Sequence, residues 1–250
     1  MEIVAYRLGH ICGIPVPPAF VSIDSDGICR ALIEWFYDEE KDNYINGFTL
    51  LSHRDRALDK KYGRRHCYPL LKDGLNIIQR LSPKDGPLLQ KAFRLFVFDA
   101  LIANTDRHHE NWGIILKGAR SKGQELILDL SPAFDNGTSL GYNFIDNKLS
   151  NYIGNKTWLD KYVEKGTHHL RKEAEGDKYK HVELIVEMTE TNLEYKDLLS
   201  QILSFNMDDV KEMLHELIKF DISVPFIEKR ADFTAMIIGA KKKALSRILD

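Results

Sequence analysis

The chain has 250 residues, 44% hydrophobic and 10% aromatic, enough for one large core or two small ones. A formal net charge of −2 argues against a general affinity for nucleic acid or anionic membrane. Three scattered cysteines, Cys12, Cys29 and Cys67, argue against a disulfide framework or a cysteine-based zinc site, and fit buried, reduced thiols in a cytoplasmic protein.

The first residues, "MEIVAYRLGHICGIPVP", carry neither a basic n-region nor an apolar h-region, so they do not read as a signal peptide. No stretch approaches the roughly 20 apolar residues of a membrane span. Ile3, Val4, Leu8 and Ile11 recur at helical spacing, which predicts a helix over 1–12 stopped by Gly13. Pro15, Pro17 and Pro18 exclude helix after it. Phe20–Ile23, the turn "DSDG" and the run "ICRALIEWF" read as a hairpin.

Residues 38–91 are polar and mixed, with helical pieces near 69–81 and a loop at "SPKDGP". From 88 to 104 a wide stripe of Leu89, Ala92, Phe93, Phe96, Val97, Ala100 and Leu101 predicts a buried helix. A polar stretch, "NTDRHHENWG" over 104–113, precedes a strand at "WGIIL", a basic turn over 117–124, a strand at "ELILDL", and "SPAFDNGTSLG". The remainder reads as helices near 157–174, 180–189, 194–204, 208–219 and 225–249. In this reading His168 and His169 lie on a polar helix face. "AKKKALSR" forms the charged outer face of the last helix, over an apolar stripe of Phe226, Ile227, Phe233, Ile237 and Leu245.

The chemistry concentrates in the middle. Asp106 and Asn111 form D-x-x-x-x-N, and Asp135 opens "DNG" beyond the hairpin. Phosphoryl transfer needs a carboxylate to orient an attacking hydroxyl and take its proton, and oxygen ligands to hold Mg²⁺ against nucleotide phosphates. Asp106 suits the first role, Asn111 and Asp135 the second, and the order matches the kinase catalytic loop followed by Asp-x-Gly. D-x-x-x-x-N alone is a weak signal; the buried helix, two strands and D-x-G around it give it specificity. His108 would brace the loop, and Arg107 would pair with a carboxylate or phosphate. A solvated loop with capping aspartates is the plain structural alternative. His108 and His109 with Asp106 could instead bind a transition metal, but adjacent histidines on a short loop seldom both reach one ion, and no third ligand stands at helical spacing. Trp112 reads as a residue packing the loop on the core. "KGARSKG" reads as a solvated hairpin tip, with phosphate or acidic-partner contact as the alternative, and "KKYGRRH" as a solvated basic face, with contact to an acidic partner or nucleic acid as the alternative.

"LFVFDALIANTDRHHENWGIIL" together with "LSPAFDNGTSLG" resembles the C-terminal kinase region of the HipA-like serine/threonine kinases, bacterial proteins of which many are toxins of toxin–antitoxin pairs. The similarity extends more loosely over most of the chain. It implies an α+β, protein-kinase-like fold: a small-lobe remnant over 1–40 and a mostly helical large lobe over 41–250, with a catalytic loop at 104–113 and a metal-binding DNG at 135–137. It implies ATP and Mg²⁺ as cofactors, Asp106 as catalytic aspartate, and Asn111 and Asp135 as Mg²⁺ ligands. Glu2 would be the regulatory-helix glutamate, and Glu34, Trp35 and Phe36 in "IEWF" would form the adenine-contacting hinge. Family members carry a Gly-rich loop and a lysine strand ahead of this helix, and neither is present between Met1 and Glu2. The expectation is therefore weak phosphotransfer by this chain alone, with a start further upstream, a separate chain supplying the missing strands, or a binding module without activity. The implied partners are a protein substrate of the translation machinery and an antitoxin-like DNA-binding protein. A small-molecule or lipid kinase is the remaining alternative.

Overall fold

The computed structural model describes residues 1–121, 123 and 125–250. The first helix, α1 (Glu2–Cys12), buries Val4, Ala5, Leu8 and Cys12 and ends at Gly13, whose φ of 66° is the left-handed cap that glycine adopts without strain. β1 (Ala19–Ile23) and β2 (Cys29–Ile33) form the expected antiparallel hairpin, with Phe20 opposite Leu32. Asp24 Oδ1 closes its turn by accepting from the Asp26 and Ile28 amides. The second strand stops at Ile33, so "EWF" lies beyond the sheet.

β3 (Asn43–Asn46) was not expected from the sequence. It pairs with β4 (Gly113–Lys117), which pairs in turn with β5 (Ile127–Leu130). α2 (Gly47–Ser52) follows β3 directly, and Asn46 Oδ1 caps it by accepting from the Thr49 amide at 2.8 Å. A Cβ on Gly47 would lie 2.4 Å from the Trp112 ring, so only glycine admits this approach. Trp112 is buried, as the sequence suggests. The hairpin tip after β4 is anchored: Arg120 Nε donates to Asn43 Oδ1 at 2.7 Å and Nη1 to the Glu39 carbonyl at 2.6 Å. Lys122 and Gln124 of that basic turn lie outside the described residues.

α3 (Tyr68–Gln79) and α4 (Leu88–Leu101) follow. Every residue of α4 from Leu95 to Leu101 is buried, because α3, α6 and α7 pack around it. The C-terminal half corrects the sequence reading in several places. The helix expected over 157–174 ends early, as α5 (Lys156–Lys165), and β6 (Thr167–Arg171) and β7 (Lys178–Lys180) form a small antiparallel pair. His168 is therefore a buried strand residue, and His169 a half-buried one, rather than members of a polar helix face. α6 (His181–Thr191), α7 (Glu194–Ile202), α8 (Met207–Ile218) and α9 (Glu228–Ser246) complete the lobe. Phe233, Ile237 and Leu245 are buried as expected, whereas Phe226 and Ile227 precede α9 and are half-buried. Lys241, assigned to the charged outer face, has no exposed surface; its ammonium meets the Val163 carbonyl at 3.2 Å and His181 Nδ1 at 3.1 Å. No helix among the described residues is long and apolar enough to cross a membrane.

Candidate active site

The loop after α4 is organised by two buried side chains. Asn104 Oδ1 accepts from the Asp106 amide at 2.9 Å, and its Nδ2 donates to Asp99 Oδ1 at 3.2 Å. Arg107 holds Asp99 through Nε and Nη2, with a shortest contact of 2.9 Å, and both side chains are almost completely buried. Burial pushes the Asp99 carboxyl up, while Arg107 and the Asn104 amide pull it down. The rest of the guanidinium spans two motifs. Nη1 donates to the Asn111 carbonyl at 3.0 Å and to the Phe134 carbonyl, and Nη2 donates to Asn136 Oδ1 at 2.8 Å. The catalytic-type loop over 104–113 and the DNG segment over 135–137, far apart in the text, are thus tied to one buried cation.

This clamp presents the expected groups. Asn111 Nδ2 donates to the Asp106 carbonyl at 3.0 Å, which leaves its Oδ1 uncommitted. Asp135 stands exposed at φ 54°, a left-handed conformation that aspartate tolerates better than most residues. Among the described residues, neither the Asp106 nor the Asp135 carboxylate has a hydrogen bond or ion pair. His108 Nδ1 accepts from the Glu110 amide at 3.2 Å, which gives it the bracing contact anticipated for it. Glu2 reaches the same place from α1: its Oε1 lies 3.4 Å from where a Cβ on Gly137 would stand. Burial and the neighbouring Asp135 push the Glu2 carboxyl up. Phe36 stacks on Phe134, ring centres 4.9 Å apart, so the hinge segment meets the residue before Asp135. Trp35 and Glu34 are exposed, and the Glu34 amide already donates to the Pro18 carbonyl at 2.8 Å. Of the three residues expected to form a hinge, Trp35 and Phe36 have amides without a hydrogen-bond partner among the described residues. Asp135 stands beside Glu2, and uncommitted oxygens such as those of Asp135, Asp106 and Asn111 are the ligand type that a hard cation such as Mg²⁺ takes.

The sequence profile of the HipA-like C-terminal domain matches residues 1–197. The chain belongs to that family. No curated protein matches the sequence. Among solved structures, this HipA-like chain resembles the Helicobacter pylori proinflammatory kinase CtkA. The TM-score is 0.76 at 19% identity, and the match covers 99% of this chain and 86% of the other. It also resembles HipA of Shewanella oneidensis MR-1, solved in complex with HipB and operator DNA. There the TM-score is 0.56 at 14% identity, covering 98% of this chain and 55% of that one. The fold is therefore the α+β, kinase-like one that the sequence implies. Sequence reasoning missed Asp99 and Asn104 as the loop's supports. The available signal was a lone carboxylate within the apolar run "LFVFDAL", which burial makes costly unless a cation meets it.

Proposed function

We propose that this chain is an ATP- and Mg²⁺-dependent kinase of HipA-like type, transferring a phosphoryl group to a serine or threonine of a protein, as a component of a toxin–antitoxin pair would. The observation that supports it is Arg107, which binds the Asn111, Phe134 and Asn136 ends of both motifs at once. Asp106, without an ion pair among the described residues, accepts the proton of the acceptor hydroxyl as that hydroxyl's oxygen attacks the γ-phosphorus, and ADP leaves. Asn111 Oδ1 and the Asp135 carboxylate would hold Mg²⁺, which supplies neutralisation of the phosphate charge. Phe36, stacked on Phe134, positions the nucleotide end of the cleft. The test is transfer from labelled ATP to a serine- or threonine-containing acceptor. Asp106→Asn is expected to lower the rate at least ~100-fold, the lower bound for a positioned general base. Transfer unchanged by that substitution contradicts the reading.

A second reading, a kinase-like module that acts by binding, draws on the β1–β2 hairpin. Phe20, Ile23, Ile28, Leu32, Ile33 and Trp35 are all exposed there, an apolar patch of the kind that marks an interaction surface. In this reading an antitoxin-like protein, or strands that complete the small lobe, cover it.

A further inference from the structure

Four imidazoles gather beneath the catalytic loop. His66 and His109 have ring centres 5.6 Å apart, His66 and His169 5.8 Å, His108 and His169 5.8 Å, and His108 and His109 5.9 Å. One ligand atom each from His108, His109 and Glu110 lies within 4.8 Å of the others. The His109 Nε2 proton is directed to the Asp59 carbonyl at 3.1 Å. That fixes the tautomer and leaves the Nδ1 lone pair buried without a partner. A ligating histidine is held in this way: one nitrogen on a backbone carbonyl, the other open to the ion. His169 Nδ1 is likewise buried and unpartnered.

We propose that His108, His109, Glu110 and His169 form a binding site for a transition ion of the Zn²⁺ class. Three imidazoles and a carboxylate are borderline ligands that such an ion prefers and Mg²⁺ does not. Metal–nitrogen distances of about 2.0–2.1 Å put two imidazole centres on one tetrahedral ion ~5 Å apart; the His108 ring stands 5.9 Å from His109 and 5.8 Å from His169, and His169 must turn toward the other three to complete the set. His66 is a wall of the site and not a ligand. Its Nε2 accepts from the buried Trp112 Nε1 at 3.4 Å, so Nδ1 carries the proton and offers no lone pair; His108 Nδ1 accepts only from the Glu110 amide of the same loop, at 3.2 Å, and must release that amide to take the ion. Lys60, 3.4 Å from Glu110 Oε1, must swing away when the ion binds. The sequence argued against a metal on His108 and His109 because adjacent histidines seldom both reach one ion and no third ligand stands at helical spacing; the fold brings His169 of β6 near them. Three of the four ligands lie between Asp106 and Asn111, so occupancy fixes the segment carrying both.

The experiment is a titration of the whole chain with Co²⁺, then Zn²⁺, in saturating Mg²⁺, followed by the visible absorption of bound Co²⁺ and by calorimetry. One equivalent per chain is expected, with Zn²⁺ displacing Co²⁺. Glu110→Gln, at a half-exposed position that leaves the fold intact, and His169→Gln are each expected to weaken binding at least ~10-fold, since even outer partners of metal sites carry that much. His10→Gln, at an exposed position elsewhere, leaves binding unchanged. Absence of saturable binding by the unaltered chain overturns the proposal, and so does binding that survives Glu110→Gln and His169→Gln or is lost with His10→Gln.

Discussion

The loop around Arg107 and the hairpin β1–β2 are built in opposite ways. Arg107 is buried and donates to Asp99, Asn111, Phe134 and Asn136. The hairpin is held by its own ladder and leaves Phe20 and Leu32 in solvent, with Trp35 exposed just beyond it. The difference separates two tasks. The part proposed to position reacting groups is completed within the fold, while the hairpin presents an apolar surface to solvent, which a partner would cover in the second reading.

The clamp can be broken directly. Arg107→Met leaves the buried Asp99 carboxylate without its cation, and the expected loss is about 3–5 kcal/mol, the usual result of removing one partner of a buried pair. Denaturant melts check it; a loss within 1 kcal/mol would show that Asp99 is held by other means. Lys241 offers a pH-dependent test of the same buried half. Burial pushes its ammonium down to about 8, from an ordinary 10.5. The unfolded chain therefore binds more protons than the native one between pH 8 and 10.5, and this group makes stability rise with pH across that window. Lys241→Met is expected to flatten that rise, read as the melting temperature at pH 8 and pH 10. The hairpin gives the smallest effect: Leu32→Ser changes the stability of the chain by no more than about 0.5 kcal/mol, as at other exposed sites. A larger loss would show that the patch is already covered.

Legibility in the sequence follows the same division. Helix α4, the β4–β5 hairpin and the three candidate residues were readable because apolar period, turn residues and short spacing are local. β3 was missed because four residues, "NYIN", are too few for a period to show. The pair β6–β7 was missed because lysines and glutamates surround "THHLR", and only the fold reveals that His168 and Leu170 point inward. Arg107 was singled out, but its partner Asp99 lies eight residues back on another element. Lys241 looked exposed because its neighbours Lys242 and Lys243 are charged, yet helix geometry turns it alone toward His181.

The account rests on Asp135 and Asn111 holding a magnesium-bound nucleotide beside Asp106. Calorimetric titration with ADP, with and without Mg²⁺, tests it most directly. The expected result is Mg²⁺-dependent binding that is abolished by Asp135→Asn and retained in Asp106→Asn. Nucleotide binding that is indifferent both to Mg²⁺ and to Asp135→Asn would contradict it.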